Sequence, residues 1–287
     1  MFSRQSQRLP RIGLTTAYKP ERNDVQGVSF VFDGYLRGLV EAGAVPVLLP
    51  NCHNFDVTLE QLDDLDGVVF VGGGDLDPRN DGYMLHPYTR PMPPEREKFD
   101  RALMREVARR RLPVLAIGVG MQLLNVEQGG ALFLHIPDDV PHAFPHRDAL
   151  DPYHRHGLVI EKNSLLDRVY GENDVRVASA HHMAVDDVAP NFLVSARCPG
   201  DNVVEAIEST YEDWLAVGVQ FHPESIAASV LDRRIFHEFV KGVEEYRQTG
   251  RNPFLWTPVK PERSQISEKS RKNLHPTRDA SSEITLI

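Results

Sequence analysis

Short runs of consecutive apolar residues alternate with stretches of helical periodicity through the first half of the chain. Residues 45–49, 67–71 and 114–117 are such runs, and helical spacing occupies residues 30–42 and 95–110. A strand that is apolar along its whole length is buried on both faces, which is typical of parallel sheets flanked by helices. The pattern therefore predicts an α/β fold, a three-layer sandwich around a mostly parallel central sheet.

The second half of the chain has closely spaced strand-like segments with little room for helices between them. These segments are residues 158–160, 175–177, 203–207 and 215–221, and an amphipathic helix over 227–246 follows them. Short connections favour antiparallel pairing. We expect several of these strands to be antiparallel, and either to extend the first sheet or to form a small second one.

Length and composition limit the classes of protein that remain. The chain has 287 residues and a net charge of −9, which argues against nucleic acid as a partner. No apolar run is long enough to span a membrane. The two cysteines, Cys52 and Cys198, follow no disulfide spacing, so we expect a cytoplasmic protein. We predict one domain over residues 1–256 and a polar, mobile C-terminal tail over residues 257–287.

The fourth predicted strand runs into a tight glycine turn and then a helix, over residues 115–122. This strand–turn–helix order is typical of a nucleophile elbow, in which the central residue presents its side chain above the sheet. The central residue here is Gly118, which has no side chain and cannot attack a substrate. Glycine adopts the strained backbone of an elbow at little cost, so we expect the fold to tolerate it.

Two further strand ends carry residues suited to a site at the same edge of the sheet. Residues 72–75 form a glycine turn ending in Asp75, and residues 220–224 contain His222 and Glu224. Ligands of open α/β sheets bind at the carboxyl ends of the strands. His222 could act as a base oriented by Glu224, or it could be an ordinary hydrogen-bonded histidine at a strand end.

Taken in order, several segments resemble the class I glutamine amidotransferases, and among them the stand-alone branch typified by gamma-glutamyl-gamma-aminobutyrate hydrolase. The matching segments are residues 71–78, 94–100, 113–117, 120–126 with 129–130, 181–185 and 218–224. The resemblance as a whole covers roughly residues 10 to 245, in the order of the family. Each segment alone is moderately specific, and the ordered set is strong.

The resemblance implies a flavodoxin-like α/β/α sandwich and a Cys-His-Glu triad. The elbow of that family reads Gly-Ile-Cys-Arg-Gly, whereas this chain reads Ala-Ile-Gly-Val-Gly over residues 116–120. By position, Gly118 replaces the nucleophile and Val119 replaces the arginine. His222 and Glu224 match the base and its orienting partner.

The resemblance also implies which residues line the ligand pocket. Gly73, Gly74 and the backbone amide of Val119 match the oxyanion region, while Gln122 and the pair His181 and His182 match binding segments. The expected ligand is a small molecule of the gamma-glutamyl type, with no cofactor. A homodimer or a synthetase partner is also compatible with the resemblance.

The missing cysteine leaves two functions open. A non-catalytic or regulatory protein could retain the pocket without covalent chemistry, because no glutamyl-enzyme can form without a nucleophile. Alternatively, the chain could hydrolyse a gamma-glutamyl amide through water activated by His222, or with help from a metal. Cys52 and Ser179 are the alternative nucleophiles. Cys52 follows the second strand at the correct edge of the sheet, but a free, inert cysteine is the default interpretation, and nothing in the sequence activates Ser179. A single-residue trapping variant is disfavoured, because Val119 also departs from the family.

A histidine-rich stretch leaves a separate question open. Residues 135–156 carry five histidines, and His181 and His182 follow later. A metal site is one interpretation, but the spacing matches no compact ligand motif. We therefore expect a polar loop lining the pocket and no metal. Two residues are also open between pocket and other roles: Asp75 could instead cap the next segment, and Arg96 could lie on a solvated helix face.

Overall fold

The structure is a computed structural model that describes residues 8–23, 25–51, 54–171 and 175–258. The predicted nucleophile alternative Cys52 and residues 259–287 of the predicted tail lie outside these ranges. The strands are β1 (Arg11–Thr15), β2 (Ala17–Lys19), β3 (Val28–Phe30), β4 (Val45–Leu49), β5 (Gly67–Phe70), β6 (Val114–Ile117), β7 (Leu132–Phe133), β8 (Arg155–Ile160), β9 (Val175–Ala178), β10 (Ala184–Val185), β11 (Phe192–Arg197), β12 (Val204–Ser209) and β13 (Ala216–Val219).

The helices occupy the connections that the apolar pattern left for them. They are α1 (Asp33–Glu41), α2 (Phe55–Asp63), α3 (Pro94–Arg109), α4 (Val119–Glu127), α5 (Ile136–Asp139), α6 (Leu165–Tyr170) and α7 (Val230–Thr249). A capping box begins α7, in which Ser229 accepts from the amide of Asp232 and Asp232 accepts from the amide of Ser229. Among the described residues, no helix combines the length and apolarity needed to cross a lipid bilayer.

The central sheet is parallel on one side and antiparallel on the other. Its main order is β4-β1-β5-β6-β13-β12-β11-β8-β9, and β10 joins β12 to β7. The first five strands of that order pair parallel. The strands from β12 to β9 pair antiparallel. This confirms the predicted α/β fold, with the second half of the chain extending the first sheet.

Helices cover both faces of the sheet, and each face has its own apolar core. One core packs α1, α6 and α7 against the sheet around Phe236 and Phe239. The other packs α3 and α4 around Leu103 and Met121. Both faces of the central strands are therefore buried. This explains why residues 67–70 and 114–117 are apolar throughout and do not alternate between apolar and polar residues.

One sequence interpretation differs from the structure in detail. The first helix begins at Asp33 and not at residue 30, because Phe30 pairs with Ala17 in a small β2–β3 hairpin. The last strand, β13, lies between β6 and β12 and pairs parallel with β6. Its carboxyl end therefore meets those of β5 and β6, and brings His222 beside Gly72 and Gly118.

Candidate active site

Gly118 has the backbone of a nucleophile elbow. It lies between the end of β6 and the first residue of α4, Val119, and has a φ of 59° and a ψ of −118°. Its amide donates to the carbonyl oxygen of Val219 at 2.8 Å, which fixes the turn to the neighbouring strand. This positive φ is one that L side chains rarely adopt, and glycine accepts it without strain.

A side chain at position 118 would stand next to the imidazole of His222. A Cβ built on Gly118 would lie 3.1 Å from His222 Cε1 and 3.6 Å from His222 Nε2. A thiol carried by that Cβ would be within hydrogen-bonding reach of Nε2, which is the arrangement of a Cys–His pair. The elbow therefore has the surroundings that a cysteine nucleophile would need, although Gly118 has no side chain.

His222 is oriented by a hydrogen-bonded carboxylate. Its Nδ1 lies 2.8 Å from Glu224 Oε1, so Nδ1 donates and Nε2 is left to face Gly118. Burial alone would lower the pKa of His222, but the charge and hydrogen bond of Glu224 outweigh it, and the pKa is raised above its usual value. This is the base-and-orienter geometry that the sequence predicted as one of two alternatives.

Tyr35 extends this chain of hydrogen bonds, a role that sequence reasoning missed because the residue shows only the spacing of an amphipathic helix. Its hydroxyl donates to Glu224 Oε1 at 2.7 Å and accepts from the amide of Gly72 at 2.9 Å. Burial, reinforced by Glu224, raises the pKa of Tyr35 well above its usual value, so the phenol stays protonated. Tyr35 therefore connects the glycine turn to the carboxylate that orients His222.

The glycine turn after β5 is held in place by a buried arginine. Arg96 Nη2 donates to the carbonyl oxygens of Val71 at 3.2 Å and Gly72 at 2.9 Å, and Arg96 Nε donates to Asp100 at 3.2 Å. A Cβ at Gly73 would collide with the guanidinium. Arg96 is 2% exposed, so the alternative of a solvated helix face is wrong for it.

A cavity of about 230 Å³ opens over the elbow. Its lining includes every residue predicted for the oxyanion and ligand region, together with Gly118 and His222: Gly73, Gly74, Val119, Gln122, His181 and His182. Glu224 lines a second cavity of about 670 Å³ that shares His222 with the first. The structure therefore brings the predicted site residues together, and their roles toward a ligand stay predictions.

Gln122 is positioned by contacts within the protein. Its amide nitrogen donates to the carbonyl oxygen of Met183 at 3.1 Å and to Gln220 Oε1 at 3.0 Å. The side chain is buried, so it connects α4 to the segment that carries His181 and His182. This gives Gln122 a role in shaping the cavity wall besides any contact with a ligand.

The consecutive residues His181 and His182 point in different directions. His182 Nε2 lies 3.0 Å from Asp75 Oδ2, and its Nδ1 lies 3.1 Å from His135 Nδ1. His181 Nε2 instead lies 3.3 Å from Glu205 Oε1 in the protein interior. Asp75 is thus a pocket-wall residue that also accepts from the amide of Arg90, at 2.6 Å.

The histidine-rich stretch forms the predicted pocket-lining loop only in part: His154 lines the cavity that contains Glu224, and Arg147 lines the cavity over Gly118. His146 and His156 are buried together with His181 around Glu205, a residue that sequence reasoning missed. Glu205 lies within the predicted strand 203–207, where nothing in the local pattern distinguishes it. Only the pairing of β12 with its neighbours brings it to the three histidines.

Of the two predicted alternative nucleophiles, only Ser179 lies among the described residues, and its contacts give that role no support. Ser179 Oγ donates to the carbonyl oxygen of His146 at 2.6 Å, so its proton is not offered to a base. Cys198 is buried beside His146 and His156, and it lines neither of the two cavities that contain His222.

A comparison with known protein families supports the same assignment as this geometry. A model of the family "Peptidase C26" matches residues 10–224. The chain belongs to the peptidase C26 family. This family is of the class I glutamine amidotransferase type, which confirms the resemblance seen in the ordered sequence segments.

Individual relatives of this C26 chain carry related names. It is 35% identical over 249 residues to a Mycobacterium tuberculosis protein named "Putative glutamine amidotransferase", covering 85% of this chain and 79% of the relative. It is 30% identical over 224 residues to gamma-glutamyl-gamma-aminobutyrate hydrolase PuuD of Escherichia coli strain K12, covering 74% of this chain and 85% of that protein.

A solved structure shares the fold of this C26 chain. It belongs to a Thermoplasma acidophilum protein described as part of a "putative GMP synthase", and it superposes with a TM-score of 0.57 at 18% identity. The match covers 84% of this chain and 97% of the other. It confirms the α/β fold.

Proposed function

We propose that this chain is a non-catalytic, regulatory binder of a gamma-glutamyl-type small molecule, built on the scaffold of a hydrolase. The observation that carries the proposal is Gly118 at the elbow. The turn keeps its backbone geometry and faces His222, yet the position has no atom that can attack a carbonyl carbon. Without that atom, the covalent glutamyl intermediate of the family's chemistry cannot form here.

The features that would bind a ligand do not depend on the missing side chain. The glycine turn at residues 72–74 is supported by Arg96 and Tyr35, and the cavity above it is lined by His182 and Gln122. Backbone amides and neutral polar groups in a concave pocket are the usual means of holding a small polar ligand. The pocket can therefore retain affinity for a gamma-glutamyl group after the loss of the reaction.

Calorimetry with gamma-glutamyl-gamma-aminobutyrate tests binding directly. We expect saturable binding to the native chain and no release of glutamate. Ala180→Phe should weaken binding at least about tenfold, equivalent to about 1.4 kcal/mol, because exposed Ala180 lines both cavities that contain His222. Val57→Phe is the matched control, since Val57 lies exposed on α2. Absence of saturable binding to the folded native chain would refute the proposal.

A second function is favoured by the state of His222. Its Nδ1 donates to Glu224, so its Nε2 can accept a proton from a water molecule above Gly118. This route would hydrolyse a gamma-glutamyl amide without a covalent intermediate. Since the pKa of His222 is raised, the neutral base would form, and the rate would rise, as the pH increases through that raised value.

Steady-state hydrolysis by the native chain distinguishes the two functions. Glutamate release that His222→Gln abolishes, with ligand binding retained, would replace the non-catalytic proposal by the water-activation route. Release that survives His222→Gln would instead exclude His222 as the base. No release from either protein, with binding intact, is the result expected of a non-catalytic binder.

A further inference from the structure

Three histidines and a glutamate form a buried cluster beside the candidate active site. His146 follows α5, His156 lies on β8, His181 follows β9 and Glu205 lies on β12; we refer to these four residues as the histidine cluster. Their exposed fractions are 4%, 2%, 7% and 0%, respectively. Four ionisable side chains that are brought from four separate segments to one dry point need a physical explanation.

The three histidines of the cluster lie close to the carboxylate of Glu205, but these contacts do not have the geometry of hydrogen bonds. Glu205 Oε1 lies 3.1 Å from His146 Nδ1, 3.4 Å from His156 Nε2 and 3.3 Å from His181 Nε2. None of these three nitrogens has a hydrogen-bond partner, and neither has either oxygen of Glu205. Buried polar atoms are almost always hydrogen-bonded, so five such atoms in one place are exceptional.

The other ring nitrogen of each histidine has an acceptor in front of it. His146 Nε2 lies 2.9 Å from Asp201 Oδ2. His156 Nδ1 lies 2.9 Å from the carbonyl oxygen of Gly157, and His181 Nδ1 lies 2.9 Å from that of Met183. Since carboxylates and carbonyls only accept, these outer nitrogens carry the protons. In the neutral imidazoles, three lone pairs then face the carboxylate of Glu205.

Such an arrangement needs positive charge at its centre. A proton on an inner nitrogen would be stabilised best by a hydrogen bond to Glu205, and the three contacts lack hydrogen-bond geometry. A metal cation has no such requirement, because each lone pair needs only to point at it.

We propose that the histidine cluster binds one divalent transition-metal ion of the zinc class. Imidazole nitrogens with one carboxylate oxygen are a common ligand set for zinc, whereas magnesium and calcium prefer oxygen alone. Four ligands about 2.0–2.1 Å from a tetrahedral centre lie about 3.3–3.4 Å apart. The measured nitrogen-to-oxygen distances of 3.1–3.4 Å match that spacing.

The hydrogen bonds around the cluster are those that metal-binding histidines usually have. The carboxylate of Asp201 and the carbonyls of Gly157 and Met183 fix the ring orientations, as outer partners do in zinc sites. Asp201 itself is held by the amides of Phe144 and Val203.

A neighbouring set of His146, Cys198 and Asp201 could also approach one ion, but it is the weaker candidate. It offers one ligand fewer. The carboxylate of Asp201 already accepts from backbone amides, whereas both oxygens of Glu205 are without donors. We therefore assign the ion to the Glu205 side of His146 and treat Asp201 as an outer partner.

With four buried protein ligands, the site has the closed coordination of a structural metal. It would fasten the segment around His146 to β8 and β12. His181 and the adjacent residue Arg147 also line the cavity over Gly118. The ion would therefore fix one wall of the candidate active site without contacting a ligand there.

Metal analysis of the full chain, purified without chelators, is the first test. We expect one zinc-class ion per chain. If the protein is isolated without metal, titration with Co²⁺ should give saturable binding and the intense visible absorption of a tetrahedral site. A protein that contains no metal and also shows no saturable Co²⁺ binding would overturn the proposal.

Variants separate this cluster from other metal-binding histidines. His156→Ala should lower metal affinity in a chelator competition by more than about 100-fold. Asp201→Asn should lower it by only about 10–100-fold, as loss of an outer partner does. His142→Ala is the matched control, because His142 lies in the same histidine-rich stretch but outside the cluster. Equal affinity in His156→Ala and His142→Ala would refute the assignment.

A readout on the native chain guards against variants that fail to fold. Removal of the metal by a chelator should lower the melting temperature, and Zn²⁺ should restore it while Mg²⁺ should not. Equal restoration by both ions would also contradict the assignment, because this ligand set discriminates against Mg²⁺.

Discussion

The pocket around Gly118 and the histidine cluster lie side by side, and they use histidine in opposite ways. In the pocket, His222 donates to Glu224 at 2.8 Å and leaves its other nitrogen facing the ligand cavity. In the cluster, the outer nitrogens are hydrogen-bonded and the inner ones face Glu205 without hydrogen bonds. The hydrogen bond between His222 and Glu224 orients a base, whereas the contacts around Glu205, which lack hydrogen-bond geometry, indicate a cation.

The consecutive residues His181 and His182 show the same difference between the two sites within two positions of the chain. His182 reaches Asp75 on the pocket side, while His181 turns toward Glu205 in the interior. The two sites therefore share one segment of chain. A change that removes metal from the cluster should alter the pocket wall, whereas a change at position 118 should leave the cluster intact.

The largest expected effect is a gain of hydrolysis in Gly118→Cys. Loss of the nucleophile alone costs about 10⁶-fold in a well-studied hydrolase, so its return should raise gamma-glutamyl amide hydrolysis by at least about 10³-fold. The positive φ should cost on the order of 1–3 kcal/mol of stability, and His222 must shift slightly. Glutamate release measures the gain.

Gly118→Ser and Gly118→Ala are the controls for that experiment, since each adds a Cβ without a thiol. Adding Glu224→Gln to Gly118→Cys should remove most of the gained activity, because His222 loses its orienting charge. A folded Gly118→Cys protein that binds ligand but gains no hydrolytic activity would contradict the assignment of His222 and Glu224 as a base and its orienting partner.

Removal of metal from the cluster should have the next largest effect. A ligand present at a thousand times its dissociation constant stabilises the folded state by about 4 kcal/mol. In a domain of this size, that corresponds to a fall in melting temperature of about 8–16 °C on chelation. Calorimetry at fixed protein concentration measures it, and His142→Ala should show the same fall. An unchanged melting temperature after complete metal removal would contradict a structural role.

A third prediction contrasts two buried glutamates on β12. Glu205 faces the three histidines of the cluster. Burial raises the pKa of Glu208 to about 7, and the hydrogen bond that Glu208 accepts from the amide of Leu165 only partly opposes this rise. Glu208 is therefore protonated when folded and ionised when unfolded between pH 4.5 and about 7. Its contribution to stability is present below pH 4.5 and is lost as the pH rises through about 7, by about 3 kcal/mol.

Glu208→Gln should remove that pH dependence. Urea unfolding of both proteins between pH 4.5 and 8 measures the difference, and the native chain should lose stability relative to the variant as the pH rises. Parallel curves would mean that Glu208 is ionised throughout, like an ordinary carboxylate.

The smallest effect is expected from Tyr35→Phe in the Gly118→Cys background. The change removes the hydroxyl that donates to Glu224 and accepts from Gly72. We expect kcat to fall about tenfold, equivalent to about 1.4 kcal/mol, with KM little changed. The pH profile should shift as well, because Glu224 loses a donor. A change in KM alone would assign Tyr35 to ligand binding.

The sequence predicted the parts of this molecule that depend on local pattern. The apolar runs predicted β5 and β6, and the positions of Gly118, His222 and Glu224 at predicted strand ends placed all three at one edge of the sheet. The roles of Tyr35 and Glu205 could not be predicted, because each depends on contacts between distant segments. Tyr35 reaches Glu224 across 189 positions of the chain.

The histidine-rich stretch illustrates the same limit. Its spacing matches no compact ligand motif, since His146 and His156 lie ten positions apart and their partners come from two later segments. A metal site assembled from four elements has no local signature. Only the strand order β12-β11-β8 within one sheet brings His156 and Glu205 to the same place.

Intact-mass spectrometry after incubation with a gamma-glutamyl amide tests the central claim most directly. We predict that the native chain acquires no covalent glutamyl adduct, and that Gly118→Cys, quenched during turnover, does. An adduct on the native chain would contradict the account, because another side chain would then be acting as the nucleophile. Peptide mapping of the adduct would identify that residue.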